Sequence, residues 1–270
     1  MKVKGEKILS KVSKNIEKLG KEAKYSNKIH NKLLMYIYDD IKIFLPNLDE
    51  IKTICTGGYK YKFKNNEKNN CLVLGPSQEG KFEKELSNHF HDIVCADGSI
   101  KIINDAKEKL PDYTFIHSLF EDLKFDKKFD FIFMLHILEH IEYPHILLNL
   151  LKFWLKDNGR IVIAVPNAYS LHRILGKKMG ILKDEHDLSS SDISVGHKRV
   201  YDEDLLRKDI QKAGFDIPLT LGVFVKPFNN KFMENLSDEQ LDGFYQLGKD
   251  ELENKYCADI VMMIKDKTYF

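Results

Sequence analysis

The chain has 270 residues, 43% of them hydrophobic and 31% charged, and its formal net charge is +1 at pH 7. This length can bury a substantial core, as one enlarged domain or as one domain with a helical appendage. The near-zero charge gives no overall attraction to nucleic acid, and no apolar run is long enough to span a bilayer. Because the N-terminus also lacks the apolar core of a signal peptide, we expect a cytoplasmic protein.

The N-terminal part is predicted to be helical and basic. Residues 1–32 contain ten lysines and three acidic residues, and apolar residues recur at helical spacing from Ile8. This pattern predicts an amphipathic helix whose basic face is either simply solvated or contacts an anionic partner. A second helix is predicted to end before Pro46. We interpret residues 1–56 as an N-terminal helical cap and residues 57–70 as a short strand followed by a polar linker.

Strands and helices alternate from Cys71 onward, which predicts an α/β domain over residues 71–270. The predicted strands span residues 71–75, 92–97, 113–117, 129–135, 160–165, 215–225 and 258–265. The predicted helices span residues 80–90, 100–110 and 144–156, and a further one begins at Asp202 and stops at Gly214. The cysteines form no Cys-x-x-Cys pair, so we interpret them as small core residues of a reducing compartment.

The segment from Cys71 to Ser99 carries the strongest functional signal. It contains an apolar strand, a turn bounded by Gly75 and Gly80, a helix, and a second strand that ends on Asp97. In an open parallel sheet, such a turn presents backbone amides to a ligand, and the acid can accept both hydroxyls of a ribose. The segment therefore predicts a pocket for an adenosine-containing cofactor.

The turn itself discriminates between cofactors. A dinucleotide fingerprint has the form Gly-x-Gly-x-x-Gly, but Pro76 and Ser77 fill the inner positions here. Pro76 has no amide hydrogen to donate to a pyrophosphate. S-adenosylmethionine, which has no phosphate, fits this turn better. A nicotinamide-dependent oxidoreductase, which has the same order of strand, turn, helix and acid, is the alternative.

Three segments together resemble the class I S-adenosylmethionine-dependent methyltransferases. They are Leu74-Gly75-Pro76-Ser77, Ala96-Asp97-Gly98-Ser99, and Phe129-Asp130-Phe131-Ile132 followed by Leu135-His136-Ile137-Leu138-Glu139-His140-Ile141. The resemblance covers about residues 70 to 265. It implies a Rossmann-like seven-stranded mixed sheet flanked by helices, with S-adenosylmethionine as methyl donor and S-adenosylhomocysteine as product.

The resemblance also implies a set of cofactor-binding residues. These are Gly75, Pro76, Ser77, Gly80, Asp97, Gly98, Ser99, Phe120, Glu121, Leu135 and His136. Two positions depart from the family pattern, because Val73 replaces an acid common near the end of the first strand and Leu119 replaces an aspartate often found near the adenine. These departures motivate a second alternative, a binding module of this fold that has lost turnover.

The reaction expected from the resemblance is O-methylation of a polar small molecule, such as a sugar or a sugar-linked metabolite, with N-methylation left open. Methyl transfer requires alignment of the acceptor, and a hydroxyl acceptor also has to lose a proton. We predict His140 as the base, with His136 next. The same Glu-His pair is also known to position a loop. Because some O-methyltransferases hold a divalent ion with a similar Glu-x-x-Glu-His cluster, a metal is a less favoured alternative, and we expect none.

The connection after the fifth strand is unusually long. Residues 166–200 exceed an ordinary connection, and such length is typical of a lid or binding loop. We predict that this substrate lid contacts an acceptor that can be anionic. The predicted substrate residues are Asn167, Arg173, His197 and Arg199. Arg173 and Arg199 either clamp a phosphate or carboxylate or form structural ion pairs with the acids of residues 184–187.

Overall fold

The computed structural model of the protein describes residues 27–46, 53–56, 59–62 and 69–267. Within these ranges the strands are β1 (Thr53–Thr56), β2 (Tyr59–Lys62), β3 (Asn70–Leu74), β4 (Asp92–Asp97), β5 (Thr114–His117), β6 (Phe129–Leu135), β7 (Leu155–Pro166), β8 (Phe215–Val223) and β9 (Asp259–Asp266). The α-helices are α1 (Asn27–Ile41), α2 (Lys81–Leu86), α3 (Ile100–Lys109), α4 (Pro144–Trp154), α5 (Leu171–Lys178), α6 (Ser190–Ser194), α7 (Glu203–Lys212), α8 (Asn230–Met233) and α9 (Asp238–Asp250).

A seven-stranded mixed sheet carries the fold, in the order β5-β4-β3-β6-β7-β9-β8. Strand β9 is antiparallel to both of its neighbours, and the other sheet pairs are parallel. This arrangement confirms the predicted Rossmann-like fold class. The strands β1 and β2 form a separate antiparallel pair.

The sheet is covered by an apolar layer on each face. Successive residues of a strand point to opposite faces, so Val73 joins the layer that contains Ile37 of α1, while Leu72 joins the layer that contains Leu148 of α4. All five residues of β3 are buried, as expected for a central strand covered on both faces. The parallel strands therefore end together at one edge, where open α/β sheets bind ligands.

The N-terminal prediction is confirmed in part. Helix α1 and the 3-10 turn Lys42–Phe44 correspond to the predicted second helix that ends before Pro46. The first 26 residues, which carry most of the predicted basic amphipathic helix, lie outside the described residues. The bounds of the cap, the linker and the lid stay predictions.

The predicted boundary between helix 144–156 and strand 160–165 is wrong. Helix α4 ends at Trp154, and β7 begins at the next residue, where Leu155 pairs with Phe129. Burial of Leu155 and its pairing with β6 override the helical pattern. Gly159 lies where an added Cβ would meet the Leu155 side chain at 2.6 Å, so it allows this irregular entry into the strand rather than terminating a helix.

Two further regions contain helices that the sequence prediction lacks. The long connection between β7 and α7 contains α5 and α6, and the stretch between β8 and β9 contains α8 and α9. None of the described helices is both long and apolar enough to cross a membrane.

Candidate active site

The glycine turn after β3 depends on glycine at both ends. Gly75 has a φ of +74° and Gly80 a φ of +66°, a region that side chains other than glycine rarely adopt. The Gly75 amide donates to the Ala96 carbonyl of β4 at 2.9 Å. A Cβ on Gly75 would lie 2.2 Å from Cδ1 of Ile137, so the turn packs directly against the segment that follows β6.

Glu83 holds the inside of this turn. The Ser77 amide and hydroxyl donate to the two Glu83 carboxylate oxygens at 2.8 and 2.6 Å, and the Gly80 amide donates to the Ser77 hydroxyl at 3.0 Å. Glu83 is almost fully buried, and that burial raises its pKa. The Ser77 side chain therefore fixes the shape of the turn from inside.

Asp97 closes the other side of the turn. It ends β4, is 7% exposed, and accepts from the Ser99 amide through Oδ1 at 2.6 Å. Its second oxygen lies 3.8 Å from the position that a Cβ on Gly75 would take. Burial raises the pKa of Asp97 to about 6. Ser99 in turn caps α3, so the loop after β4 is fixed at both ends.

The segment after β5 lies beside the same edge. The Ser118 amide donates to the Asp97 carbonyl at 3.0 Å, and the 3-10 turn Phe120–Asp122 follows. Phe120 is half-buried, whereas Glu121 is exposed. Backbone contacts therefore bring this predicted adenine-bordering segment next to the carboxylate of β4.

His136 follows β6 in a strained backbone conformation. Its φ is +56°, and its amide donates to the Ala164 carbonyl of β7 at 2.9 Å. Its Nε2 is 2.5 Å from Oδ2 of Asp259, which faces Pro166 at the start of β9. Burial alone would lower the pKa of His136, but the Asp259 carboxylate outweighs it and raises the pKa to about 8.

One neutral and one cationic side chain border this pair. The His30 ring of α1 lies 5.2 Å from the His136 ring, and burial lowers the pKa of His30 to about 3, so it stays neutral. Lys226 follows β8 and interacts with the Asp259 carboxylate. Burial lowers the pKa of Lys226 to about 8, so it retains most of its positive charge at pH 7.

Glu139 and His140 belong to the 3-10 turn Leu138–His140, and His197 from the predicted lid lies against them. The His140 and His197 rings meet edge to face with centroids 4.7 Å apart. Burial and the neighbouring histidines lower the pKa of His140 to about 3. His136 does not join this group, because its side chain pairs with Asp259.

All four predicted substrate residues bond within the chain, His197 through the carboxylate of Asp192 at 3.0 Å. Asn167 donates to the carbonyls of residues 255 and 257 at 2.8 and 2.9 Å. Arg173 is 5% exposed and bonds the carbonyls of residues 185 and 187 and the carboxylate of Asp192, not the side-chain acids of residues 184–187. Arg199 donates to the Glu142 carbonyl at 2.9 Å and contacts Tyr201.

Residues 51–218 match the family model described as a methyltransferase domain, and this match spans more than half of the chain. This chain is a class I S-adenosylmethionine-dependent methyltransferase. No curated protein sequence matches it.

Solved methyltransferase structures share the fold at low sequence identity. One is an S-adenosylmethionine-dependent methyltransferase from Clostridium acetobutylicum, with a TM-score of 0.53 and 13% identity over 87% of this chain and 91% of that one. Another, from Thermotoga maritima, is described as a possible histamine N-methyltransferase, with a TM-score of 0.55 and 16% identity over 90% and 96%. A third is the plantazolicin methyltransferase BamL in complex with S-adenosylhomocysteine and a desmethyl-plantazolicin analogue, with a TM-score of 0.51 and 18% identity over 96% and 91%.

The residues of this methyltransferase fit its cofactor. The left-handed Gly75 permits the close turn, and Asp97 presents a buried carboxylate oxygen toward that turn. When bound, S-adenosylmethionine supplies an activated methyl group. The turn from Gly75 to Gly80 and the Asp97 carboxylate would hold it, with the segment after β5 beside them.

Sequence reasoning missed several residues of the site. Glu83 carried a usable signal, because it is an acid in the first turn of the helix that follows the glycine turn. Asp259 lies at the start of the last predicted strand, but its position beside the end of β7 depends on a strand order that the sequence did not define. His30 and Lys226 carried no signal, since only the packing of α1 and of the chain after β8 brings them to His136.

Proposed function

We propose that this methyltransferase transfers a methyl group to a hydroxyl oxygen of a polar small molecule, with His136 as the base. The observation that carries the proposal is the hydrogen bond between His136 Nε2 and Asp259 at the ligand-binding edge of the sheet. The carboxylate fixes the ring through Nε2 and leaves Nδ1 as the nitrogen that can take a proton. Because Asp259 raises the pKa of His136, it also makes His136 a stronger base than an isolated histidine.

His136 suits this role better than His140, the first choice from the sequence. Burial lowers the pKa of His140 to about 3, which makes it a weak proton acceptor, and its ring packs against His197. In the proposed reaction, His136 removes the hydroxyl proton as the acceptor oxygen attacks the methyl carbon, and the thioether product leaves. The chain's own contribution is therefore alignment, exclusion of water and proton removal.

Lys226 supports an acceptor that carries negative charge, such as a sugar phosphate. It lies close enough to interact with both His136 and Asp259, and it is partly buried. Arg173 is occupied by Asp192 and by backbone carbonyls, so we assign recognition of an anionic group to Lys226 instead. In this proposal, residues 166–200 form the lid over the acceptor and α1 of the cap contributes His30 beside the base.

The pKa of His136 tests the assignment without knowledge of the acceptor. NMR titration of histidine-labelled protein is expected to give a pKa near 8 in the wild type and a much lower value in Asp259→Asn, because burial then acts without the carboxylate. Asp216→Asn is the matched control, since Asp216 lies at the far end of β8 and pairs with Lys267. If the pKa of His136 were unchanged in Asp259→Asn, the proposed interaction between His136 and Asp259 would be refuted.

Activity then tests the role. We expect S-adenosylhomocysteine release with at least one compound of a panel of sugars and sugar phosphates, at a rate that rises with pH up to about 8. His136→Asn is expected to lose about 10²–10⁴-fold in kcat while it still binds S-adenosylhomocysteine. Transfer only to amines, or full activity of His136→Asn, would contradict the proposed hydroxyl chemistry.

A further inference from the structure

Glu139 is a buried carboxylate without a hydrogen-bond partner. It is 1% exposed, and within the described part of the chain neither carboxylate oxygen accepts a hydrogen bond. A charge removed from water in this way is strongly disfavoured unless a cation or a set of donors compensates it. A cation bound beside Glu139 would compensate the charge that burial disfavours.

Two histidines surround this carboxylate. Glu139, His140 and His197 each offer a ligand atom, and these atoms all lie within 4.8 Å of one another. His197 Nε2 lies 3.9 Å from Oε1 of Glu139. The Lys198 amide donates to the Glu139 carbonyl at 2.8 Å, which fastens the lid segment to the 3-10 turn after β6.

The outer contacts orient one histidine toward Glu139. His197 Nδ1 pairs with Oδ1 of Asp192 at 3.0 Å, which leaves Nε2 to face the cluster. Asp192 is itself fixed, since its Oδ2 accepts from Arg173 at 3.0 Å and from the Ser189 hydroxyl at 2.7 Å. A carboxylate that bonds the far nitrogen of an imidazole is the usual outer partner of a metal-ligating histidine.

We propose that Glu139, His140 and His197 bind a divalent transition-metal ion. Bonds of about 2 Å from each ligand to a common ion correspond to ligand separations of up to about 4 Å, so small side-chain rotations complete the site. Two imidazoles and one carboxylate favour a transition-metal ion such as zinc over magnesium, and three protein ligands leave positions open. This ligand set differs from the contiguous motif in the sequence, because His136 is paired with Asp259 and His197 comes from the lid.

A metal ion bound at this site could act on the methyl acceptor close to His136, the proposed base. An acceptor oxygen bound at an open position would be oriented and made more acidic, which eases proton removal by His136. This role rests on the proposed O-methyl transfer. Metal binding itself does not rest on it, because the three ligands and Asp192 are in place without any acceptor.

The test uses the full chain without a histidine tag, stripped of metal with a chelator that is then removed by dialysis. Calorimetric titration with Zn²⁺, Co²⁺ and Mn²⁺, and elemental analysis after gel filtration, should show one ion per chain for at least one metal. Bound Co²⁺ should give the visible absorption of a low-coordinate nitrogen and oxygen site. Glu139→Gln and His197→Asn should weaken binding more than 100-fold, and Asp192→Asn by about 10- to 100-fold.

His91→Ala is the control, because His91 is an exposed histidine at the start of β4, at the opposite edge of the sheet, and its loss should leave metal binding unchanged. Absence of stoichiometric binding of all three ions to the wild type would overturn the site, as would equal affinity in Glu139→Gln. S-adenosylhomocysteine binding is measured on the same samples. If the wild type bound S-adenosylhomocysteine but none of the three ions, the metal site would be rejected and the proposed methyl transfer would be unaffected.

Discussion

At the scale of single residues, the glycine turn gives the sharpest prediction. Gly75→Ala would place a methyl group 2.2 Å from Ile137 in a left-handed backbone conformation. We expect the free energy of unfolding to fall by about 1–2 kcal/mol from the backbone and by about 1–3 kcal/mol from the forced contact. Cofactor affinity should fall as well, because either the turn or the Ile137 side chain packed on it has to move. Urea denaturation and calorimetric titration with S-adenosylhomocysteine measure the two effects.

Gly180→Ala separates these contributions. Gly180 has nearly the same φ, +72°, but an added Cβ would meet nothing within 4 Å in the described structure. Gly180→Ala should lower the free energy of unfolding only by the backbone contribution, and it should leave cofactor affinity unchanged. If Gly75→Ala proved no more harmful than Gly180→Ala, close packing of Ile137 on the turn would not matter in solution.

The buried Asp97 carboxylate should lower the stability of the cofactor-free protein, although we expect the cofactor to bind to it. Its pKa rises from 3.8 in an unfolded chain to about 6 in the fold because of burial. The unfolded state loses this proton first, so the stability contribution is greatest below pH 4 and declines as pH rises through 6. At about 1.4 kcal/mol per pKa unit, the ionised group costs the cofactor-free protein up to about 3 kcal/mol at pH 7.5.

Asp97→Asn should therefore stabilise the cofactor-free protein at pH 7.5 and have little effect at pH 4, while it abolishes tight binding of S-adenosylhomocysteine. Thermal unfolding at the two pH values and calorimetry at pH 7.5 test both parts. Destabilisation of the same size at both pH values would mean that the Ser99 contact, not burial of charge, dominates at this position.

The residues that sequence analysis located are those with local signals. Gly75 and Asp97 belong to one strand, turn, helix and strand, so their proximity follows from a short stretch of chain. His136 and Asp259 are 123 residues apart, and no periodicity connects them. His197 was predicted as a substrate residue, but its position beside Glu139 depends on how the lid folds back.

At the scale of secondary structure, helix α9 links the end of the chain to the cap. Its Tyr245 ring stacks on Tyr36 of α1 with centroids 4.2 Å apart, and the Tyr245 hydroxyl donates to Asp40 at 2.5 Å. Lys249 adds an ion pair to the same carboxylate at 2.9 Å. Helix α9 therefore packs against the helix that places His30 beside His136, the proposed base.

Leu241→Ala tests this packing. Leu241 of α9 is fully buried, so its truncation should lower the free energy of unfolding by about 2–5 kcal/mol. Leu247 lies on the same helix and is 38% exposed, so Leu247→Ala should change stability by less than about 1 kcal/mol. Denaturant unfolding of both variants checks the difference, and equal effects would show that α9 is only loosely packed.

The same helix shows where element prediction failed. Strands β3 to β6 were predicted within one residue at either end, because apolar runs between turn residues define them. Helix α9 was overlooked although Ser237 and Gln240 form a capping box that can be recognised in a sequence. Its apolar residues are sparse on a polar helix, and part of the packing around them comes from α1, about 200 residues earlier in the chain.

At the scale of the whole molecule, alternating strands and helices were enough to predict the class of fold. They could not define the strand order, in which β9 inserts between β7 and β8, because that depends on pairings across more than 90 residues. This insertion has a functional consequence, since it places Asp259 at the edge where the parallel strands end. The global fold therefore determines the proposed base more than any motif does.

Binding of the demethylated cofactor should stabilise the whole molecule. At a concentration 100 times its dissociation constant, a ligand that binds only the folded state adds about 2.7 kcal/mol. For a domain of this size, that corresponds to a rise of about 5–11 °C in Tm. We expect S-adenosylhomocysteine to produce this rise in the wild type and not in Asp97→Asn, as measured by scanning calorimetry. NAD should produce none, because Pro76 deprives the turn of an amide that a pyrophosphate would need. A comparable shift with NAD, or none with S-adenosylhomocysteine, would contradict the assignment of the turn and the Asp97 carboxylate to this cofactor.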